Sequence, residues 1–450
     1  MKVTHEPSLF FKALPTFVAV FDDSLHYNRL QSYRKAYIIR RSFKFIDTKE
    51  LVKQINDLMH SSKRGVLLDL RFIDNKLDIE FLINVAAKNC WRFGKYKTIS
   101  RSRLVAMDKD LHILCPKSFS YERVLHRTAC GDLARELASE PANMIGGTSG
   151  FCDRVKGIFN KRKAIQISTL NADDLKNQGL GLINGMGGAS NPKLLILEYT
   201  PKPANQHIPT ICLIGKGVCF DAGGYSLKDR VSMYGENVDK TGAACVIGTV
   251  KFVCDSALPI KVIAIIPLIE NKISEVSVVP GDVLKSYNGL TVEITNTDAE
   301  GRVIVADAIA YACDKYNPDM LVDIGTFTSW ASKQHCGLSH TFFTLDDSLS
   351  MALDKFGSTV GERCVRLPPW EEYIEYTRGT TADLTNSPRL CVGEGNIASL
   401  FLMNFVSHKL RKHGWVHIDI SNHEVDGHRE LSNCNGIATC IELVRKFRVK

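Results

Sequence analysis

Short apolar runs alternate with helical patterns from residue 164 to the carboxyl end of this 450-residue chain, and this alternation constrains the fold most strongly. Runs of strand length lie at residues 164–168, 181–184, 194–199, 210–214, 262–266, 292–295, 320–324 and 415–420. Helical periods lie at residues 239–254, 302–316, 397–410 and 437–447. Continuously apolar strands are typical of a sheet that is covered on both faces. We therefore predict an α/β fold with a mainly parallel central sheet sandwiched by helices.

The amino-terminal part of the chain carries a second, smaller alternation of the same kind. Strand-like runs lie at residues 17–21, 36–39 and 65–70, and amphipathic helical patterns lie at 48–60 and 78–89. We predict a small α/β domain over residues 1–120, with a role in packing or assembly. A helical pattern that stops at Pro141 predicts a bridging helix over residues 121–145. Residues 146–450 then form the larger domain, which carries the candidate site.

Charge and cysteine content narrow the class of protein. The net charge of +8 is a mild bias for a chain of this length, so it does not predict a nucleic-acid partner. The 14 cysteines are scattered and include no Cys-x-x-Cys pair, which indicates a reducing, cytoplasmic location rather than a disulfide framework. No signal-peptide pattern opens the chain, and no apolar run approaches the ~20 residues that cross a bilayer. We expect an intracellular protein without a membrane partner.

Acidic and basic side chains gather at strand ends and glycine-bearing turns between residues 209 and 302. The group consists of Asp221, Asp239, Asp298 and Glu300 together with Lys216, Lys228 and Arg302. Carboxylates placed together in a folded core repel one another, and bound divalent cations remove that conflict. Gly223 and Gly224 would let the backbone approach such an ion closely. The pattern predicts a two-metal hydrolase.

The pair Asp298 and Glu300 admits two interpretations. Alternate residues of a short extended loop point the same way, so both carboxylates could face one ion. Alternatively, both acids precede the predicted helix at 302–316 and are stabilised by the positive end of its dipole. The other acidic residues and the glycine-bearing turns favour the metal site. Oxygen ligands of this kind suit Zn²⁺, Mn²⁺ or Mg²⁺ and do not choose among them.

Several segments together resemble the leucyl aminopeptidase family, the two-metal cytosolic aminopeptidases that are usually hexameric. The most specific is the intact run Asn296-Thr-Asp-Ala-Glu-Gly-Arg302, and residues 280–283, 321–326 and 417–420 also match. The likeness extends from about Ala129 to the carboxyl end, whereas residues 1–115 are similar only in length and α/β character. It implies a metalloprotease that releases amino-terminal residues from peptides, through attack of a metal-bridging water on the first peptide bond.

The resemblance also implies roles by position. The implied ligands are Lys216, Asp221, Asp239 and Glu300 for a tighter-bound ion, and Asp221, Asp298 and Glu300 for a more exchangeable one. Lys228 would polarise the scissile carbonyl and stabilise the tetrahedral oxyanion. Arg302 would hold a bicarbonate that takes the proton from the attacking water. The implied cofactors are two divalent ions per subunit, zinc, manganese or magnesium, and the implied assembly is a homohexamer.

The chain departs from the family pattern beside the implied ligands. Lys240 and Thr241 stand where the family usually has a Met-Gly or similar pair, and we predict that Lys240 points outward because an unpaired buried ammonium is costly. The segment at residues 386–395 replaces a more glycine-rich loop beside the bicarbonate site, which bears on the proton-transfer arrangement.

The pocket for the substrate's first side chain also departs from the family pattern. Glu236 replaces a methionine, and Ser329 replaces a glycine in the loop that begins at Thr326. These changes predict a narrower, more polar pocket that accepts leucine less well and favours basic or small residues. Alternatively, the loop shifts and Glu236 is solvated.

One function of another class stays open at this stage. The same scaffold could serve as a structural or DNA-binding protein whose peptidase activity is secondary or lost. The mild positive charge and the substitutions around the site keep this alternative open. The intact set of metal-site residue types favours the enzyme.

Overall fold

The structure, a computed structural model, divides the chain into two compact units. It describes residues 66–71, 73, 75–98, 111–188, 190–202, 208–329, 334–335, 337–388, 393–420 and 431–447, together with three strands at 2–4, 17–22 and 36–41. One unit contains Met1–Asp132 and Thr359–Gly361, and the other contains Leu133–Ser358 and Glu362–Lys450. The helix predicted at 48–60 lies outside the described residues.

The amino-terminal unit is built on a parallel sheet. Its strands are β1 Lys2–Thr4, β2 Phe17–Asp22, β3 Ala36–Arg41, β4 Val66–Asp69 and β5 Leu111–Leu114, in the order β1-β5-β4-β2-β3. Two helices follow β4 and β5: α1 Lys76–Cys90 and α2 Glu122–Ser139. Asn75 begins α1, and its side chain accepts a hydrogen bond from the backbone of Leu77. The predicted strands and the helix at 78–89 are confirmed, whereas an assembly role for this unit stays a prediction.

The division between the units falls inside α2, within the segment predicted as a bridge. Strands of the larger unit are, in chain order, β6 Ile165–Leu170, β7 Lys193–Tyr199, β8 Thr210–Gly215, β9 Gly217–Asp221, β10 Lys261–Asn271, β11 Val283–Lys285, β12 Thr291–Glu293, β13 Met320–Gly325, β14 His340–Phe343, β15 Cys364–Arg366, β16 Leu384–Thr385 and β17 Trp415–Asp419. The main sheet has the order β15-β14-β17-β13-β8-β10-β7-β6, with β9 also pairing with β10. Its central strands β17, β13, β8 and β10 are parallel, as predicted.

Helices cover this sheet. In chain order they are α3 Ala142–Ile145, α4 Gly147–Phe159, α5 Ala172–Asn177, α6 Gly181–Met186, α7 Arg230–Met233, α8 Thr241–Asp255, α9 Glu300–Tyr316, α10 Asp347–Val360, α11 Glu394–Met403, α12 His408–Lys412 and α13 Ile437–Lys446, with 3-10 turns at Glu236–Lys240 and Glu371–Thr377. Helix α8 contacts β8 and α13, while Cys212 and Ile214 of β8 share a core cluster with α9. Among the helices in the described part of the chain, none is both long and apolar enough to cross a bilayer.

Two of the predicted strand and helix segments were wrong. The run at 181–184 is helix α6 rather than a strand, because four apolar residues do not distinguish the two and the side chain of Asp307 binds the first amides of the helix. The helix predicted over 397–410 ends at Met403 and resumes at His408. There the side chain of Asn404 donates to the carbonyls of Leu400 and Phe401 at the end of α11.

Candidate metal centre

The candidate ligands come from four parts of the chain that meet at the carboxyl ends of strands β8 and β9. Lys216 lies between β8 and β9, and its backbone N–H donates to Ile324 of β13. Asp221 is the last residue of β9, a strand that the apolar pattern did not predict. Asp239 lies in the 3-10 turn before α8. Glu300 opens helix α9, so the expected extended loop at Asp298–Glu300 is instead a turn that leads into a helix.

Two groups of carboxylates share Asp221. Asp221, Asp298 and Glu300 each offer an oxygen, and these three atoms lie within 4.8 Å of one another. Asp221, Glu236 and Asp239 form a second group within the same limit. The structure therefore brings together the four predicted acidic ligands and adds Glu236, which the sequence placed in the substrate pocket.

Two lysines lie among these carboxylates. Lys216 Nζ lies 2.8 Å from Asp239 Oδ1 and 2.8 Å from Glu300 Oε1, and it donates to the carbonyl of Thr326 at 2.6 Å. Lys228 Nζ lies 3.0 Å from Asp221 Oδ2 and 2.7 Å from Asp298 Oδ1. Within the described residues, the two ammonium groups cannot neutralise the five carboxylates of the two groups.

Burial and mutual repulsion change the acidity of this cluster. Burial, with Asp221 and Glu300 beside it, raises the pKa of Asp298 to about 7. Burial also raises the pKa of Glu236 to about 7 and that of Asp239 well above its ordinary value, although Lys228 and Lys216 respectively oppose these rises. Burial alone would lower the pKa of Lys216, but the carboxylates outweigh it and raise that pKa. The site therefore disfavours its own negative charge when only lysines balance it.

The donor atoms of the cluster fit divalent metal ions. Asp239 Oδ2 and Glu300 Oε2 are buried and have no hydrogen-bond partner among the described residues. Buried carboxylate oxygens without partners carry a large desolvation cost. A hard dication accepts such oxygens as ligands and removes the repulsion between them. The residues present therefore fit the metal chemistry that the sequence predicts.

Glycines and a threonine lock the two loops of the site together. Gly223 and Gly224 have φ of +85° and +61°, and a Cβ on Gly224 would lie 2.8 Å from Asn271 Oδ1 and 2.9 Å from Thr297 Oγ1. Thr297 Oγ1 donates to the carbonyl of Gly223 at 2.6 Å and accepts the backbone N–H of Ser226 at 2.8 Å. The loop after Asp221 is thereby fixed against the loop that carries Asp298.

The prediction that Lys240 points outward was wrong. Its side chain is fully buried, with 0% exposure, and Nζ donates to the carbonyl oxygens of Glu140 and Asn237. Backbone carbonyls, rather than a carboxylate, satisfy the ammonium, and the sequence pattern gave no sign of this long-range contact. Burial lowers the pKa of Lys240 to about 8, while Cys219, Glu140 and Asp239 oppose the shift.

The loop after β13 was assigned to the substrate pocket. Thr326 Oγ1 donates to Asp239 Oδ1 at 2.5 Å, so Thr326 contacts a candidate ligand directly. Asp419 accepts the backbone N–H of Phe327 at 2.9 Å and the hydroxyl of Thr328 at 2.6 Å, which anchors the loop. Ser329 is exposed at the end of this described segment. The anchoring role of Asp419 was not predicted, because it depends on two segments about ninety residues apart.

Hydrogen bonds join Asn386 to Arg302 and to the loop that precedes Glu300. Arg302 is buried in the first turn of α9, and its Nη1 donates to the carbonyl of Asn386 at 3.1 Å. The Asn386 side chain accepts the backbone N–H of Thr295 at 2.9 Å and donates to the carbonyls of Asn296 at 2.6 Å and Ala299 at 3.3 Å. The loop that carries Asp298 is therefore held in part by the buried amide of Asn386, the first residue of the segment 386–395, to which the sequence analysis gave no such role.

Asn386→Ala is expected to weaken binding of Mn²⁺ by ~10- to 100-fold, because groups that orient metal ligands have effects of that size. Isothermal titration of the metal-free protein with Mn²⁺ measures the change. Ser387→Ala is the matched control, because it keeps the backbone carbonyl that accepts from Thr295. Equal Mn²⁺ affinity in Asn386→Ala and the wild type would show that the amide does not position the ligands.

Comparison with known proteins identifies the family of the chain. A model of the cytosol aminopeptidase family, catalytic domain, matches residues 132–443. A probable cytosol aminopeptidase from Chlorobium limicola is 36% identical over 329 residues, which are 71% of this chain and 63% of that relative. The chain thus spans less than two thirds of the length of such curated relatives.

Solved structures share the fold over nearly the whole chain. The apo leucyl aminopeptidase from Trypanosoma cruzi has a TM-score of 0.85 at 21% identity and covers 99% of this chain and 97% of its own. The bottromycin maturation enzyme BotP, solved in complex with Mn, has a TM-score of 0.81 at 23% identity, with 96% and 99% covered. From the family match and the sequence relatives together, we conclude that the chain belongs to the cytosol aminopeptidase family.

Proposed function

We propose that the protein is a metal-dependent aminopeptidase that releases amino-terminal residues from peptides. This proposal rests on the two sets of three carboxylates that have Asp221 in common. Buried oxygens of Asp239 and Glu300 also lack hydrogen-bond partners in the described part of the chain. The relatives are named cytosol aminopeptidases, and the Mn complex of BotP supports divalent ions as the cofactors.

Each side chain would have a role in this reaction. Two divalent ions, when bound, supply Lewis acidity and a water of lowered pKa. Lys216, Asp221 and Asp239 with Glu300 would hold one ion, and Asp221, Asp298 and Glu300 the other. Lys228 would meet the negative charge that develops on the scissile carbonyl oxygen. Its carboxylate neighbours outweigh burial and raise the pKa of Lys228, so it carries a proton for this task.

Three finer features belong to the same proposal. Arg302 is the candidate holder of a bicarbonate, because a buried guanidinium presents several donors to a planar anion. Glu236, Thr326 and Ser329 are the candidate pocket for the first side chain of the peptide. The assembly would be a homohexamer, and sedimentation equilibrium measures it.

The structural or DNA-binding alternative is less well supported by the charges of the site. Five carboxylates lie together in the site, and they would repel the phosphate backbone of DNA unless bound metal ions neutralised them. The experiment that separates the two functions is hydrolysis of leucyl and arginyl reporter amides with Mn²⁺, Zn²⁺, Mg²⁺ or EDTA. The proposal expects metal-dependent release of the amino-terminal residue. Salt-sensitive DNA binding without any hydrolysis would support the alternative instead.

Lys228→Met is expected to lower kcat by ~10²- to 10³-fold, because it removes a preorganised charge from the position of the developing oxyanion. Steady-state hydrolysis of a leucyl amide, with bound Mn²⁺ measured in parallel, tests this expectation. Lys272→Met is the matched control, because Lys272 is a half-exposed lysine paired with Glu270 outside the cluster. A kcat equal to that of the wild type, at equal metal content, would remove Lys228 from the reaction.

A further inference from the structure

Glu236 is the one carboxylate of the two groups that the implied ligand set does not use. One of its oxygens lies within 4.8 Å of ligand atoms from both Asp221 and Asp239. Its Oε2 lies 4.0 Å from Lys228 Nζ, too far for a hydrogen bond, and its side chain is 22% exposed. The carboxylate is thus directed at the metal centre, while the side chain keeps one side open to solvent.

The local backbone explains this direction. Gly235 adopts φ of +96°, a left-handed conformation that suits glycine, and the 3-10 turn Glu236–Lys240 follows at once. In a 3-10 helix the residues i and i+3 lie one above the other on the same face. Glu236 and Asp239 are related in this way, so the turn that presents Asp239 to the cluster presents Glu236 to it as well.

One carboxylate oxygen of Asp239 remains available to bind a cation that Glu236 could also reach. Asp239 Oδ1 accepts from Lys216 Nζ at 2.8 Å and from Thr326 Oγ1 at 2.5 Å. Its Oδ2 is buried and has no hydrogen-bond partner among the residues that the structure describes. A cation near Oδ2 and Asp221 would have the carboxylate of Glu236 within reach of its coordination sphere.

Charge balance points to the same role. Two dications and the ammonium of Lys228 carry five positive charges, and Lys216 adds none if it binds an ion as the neutral amine. The carboxylates of Asp221, Glu236, Asp239, Asp298 and Glu300 supply five negative charges. With a neutral residue at position 236, the loaded centre would retain one uncompensated positive charge.

We infer that Glu236 is an additional ligand of the ion held by Asp221 and Asp239, and that it makes this chain bind that ion more tightly. The inference rests on the proposed metal centre. It assigns to position 236 a role in metal affinity in addition to its proposed place in the pocket for the first residue of the peptide.

The test is a titration of the metal-free full chain with Mn²⁺, in which free Mn²⁺ is followed by electron paramagnetic resonance. Glu236→Gln and Glu236→Met are expected to weaken one of the two Mn²⁺ sites by at least ~10-fold and to leave the other unchanged. Glu236→Asp, which draws the carboxylate back by one methylene, is expected to lie between them and the wild type. Glu270→Gln is the matched control, because Glu270 is a partly buried acid paired with Lys272 outside the cluster.

The outcomes separate this inference from the proposed function. If the wild type binds two ions and both Glu236→Gln and Glu236→Met bind them equally tightly, the inference is wrong and the aminopeptidase proposal stands. A changed ratio of leucyl to arginyl hydrolysis in Glu236→Met, at unchanged Mn²⁺ affinity, would contradict the metal role and leave position 236 with a role in the substrate pocket alone. A wild-type chain that binds no Mn²⁺ would overturn both.

Discussion

Glu300→Gln is expected to abolish metal-dependent hydrolysis while leaving the metal-free protein at least as stable as the wild type. Glu300 is 1% exposed, one of its oxygens lies 2.8 Å from Lys216 Nζ, and the other has no hydrogen-bond partner in the described residues. Gln has the same shape but removes one of the carboxylates that repel one another. We expect kcat/KM to fall at least ~10³-fold, which corresponds to ~4 kcal/mol of transition-state stabilisation.

Thermal unfolding separates the two effects of Glu300→Gln. In EDTA the variant should unfold at the same temperature as the wild type or higher, because repulsion in the empty cluster is reduced. With Mn²⁺ at 100 times its dissociation constant, the wild type should gain ~2.7 kcal/mol that the variant lacks. Glu270→Gln serves as the control. A Glu300→Gln protein that is markedly destabilised in EDTA would show that the carboxylate supports the fold rather than the metal.

Asp307→Ala is expected to lower the free energy of unfolding by ~3–6 kcal/mol. The Asp307 carboxylate is fully buried in α9 and accepts backbone N–H groups from Leu182 at 2.8 Å, Ile183 at 3.1 Å and Tyr287 at 2.8 Å. Alanine would leave two buried donors and one partly buried donor without partners, and a buried donor without a partner costs ~1–3 kcal/mol. Denaturant unfolding of the full chain measures the loss.

Two further variants make the Asp307 experiment decisive. Asp314→Ala removes an exposed carboxylate from the same helix and should leave the free energy of unfolding close to that of the wild type. Asp307→Asn keeps one acceptor oxygen and should lie between Asp307→Ala and the wild type. If Asp307→Ala were no less stable than Asp314→Ala, the three hydrogen bonds would contribute nothing to the fold.

The central strands and the clustering of the acidic residues could be predicted because their signals are local. The apolar runs that became β8, β10, β13 and β17 are buried on both faces of the sheet, and burial on both faces leaves a continuous hydrophobic pattern. Asp298 and Glu300 stand in a short, specific run of residues. Each interpretation of that pair agrees with part of the structure, because Glu300 begins a helix and also lies in the carboxylate cluster.

The remaining features depend on contacts between distant parts of the chain. Lys240 is buried because the carbonyl of Glu140, a hundred residues earlier, accepts from it. Asn386 reaches the loop at 295–299 from about ninety residues away. Strand β9 is short, and its pairing with β10 is what defines it. No local pattern of apolar or charged residues carries these contacts, so sequence reasoning could not place them.

The most direct test of the account is the number of divalent ions that the full chain holds at saturation. Equilibrium dialysis against Mn²⁺ followed by elemental analysis gives this number without reference to activity. The two sets of carboxylates that share Asp221 predict two ions per chain, as a two-metal centre requires. A chain that retains no Mn²⁺ above the dialysis background would contradict the metal centre and the hydrolytic function proposed from it.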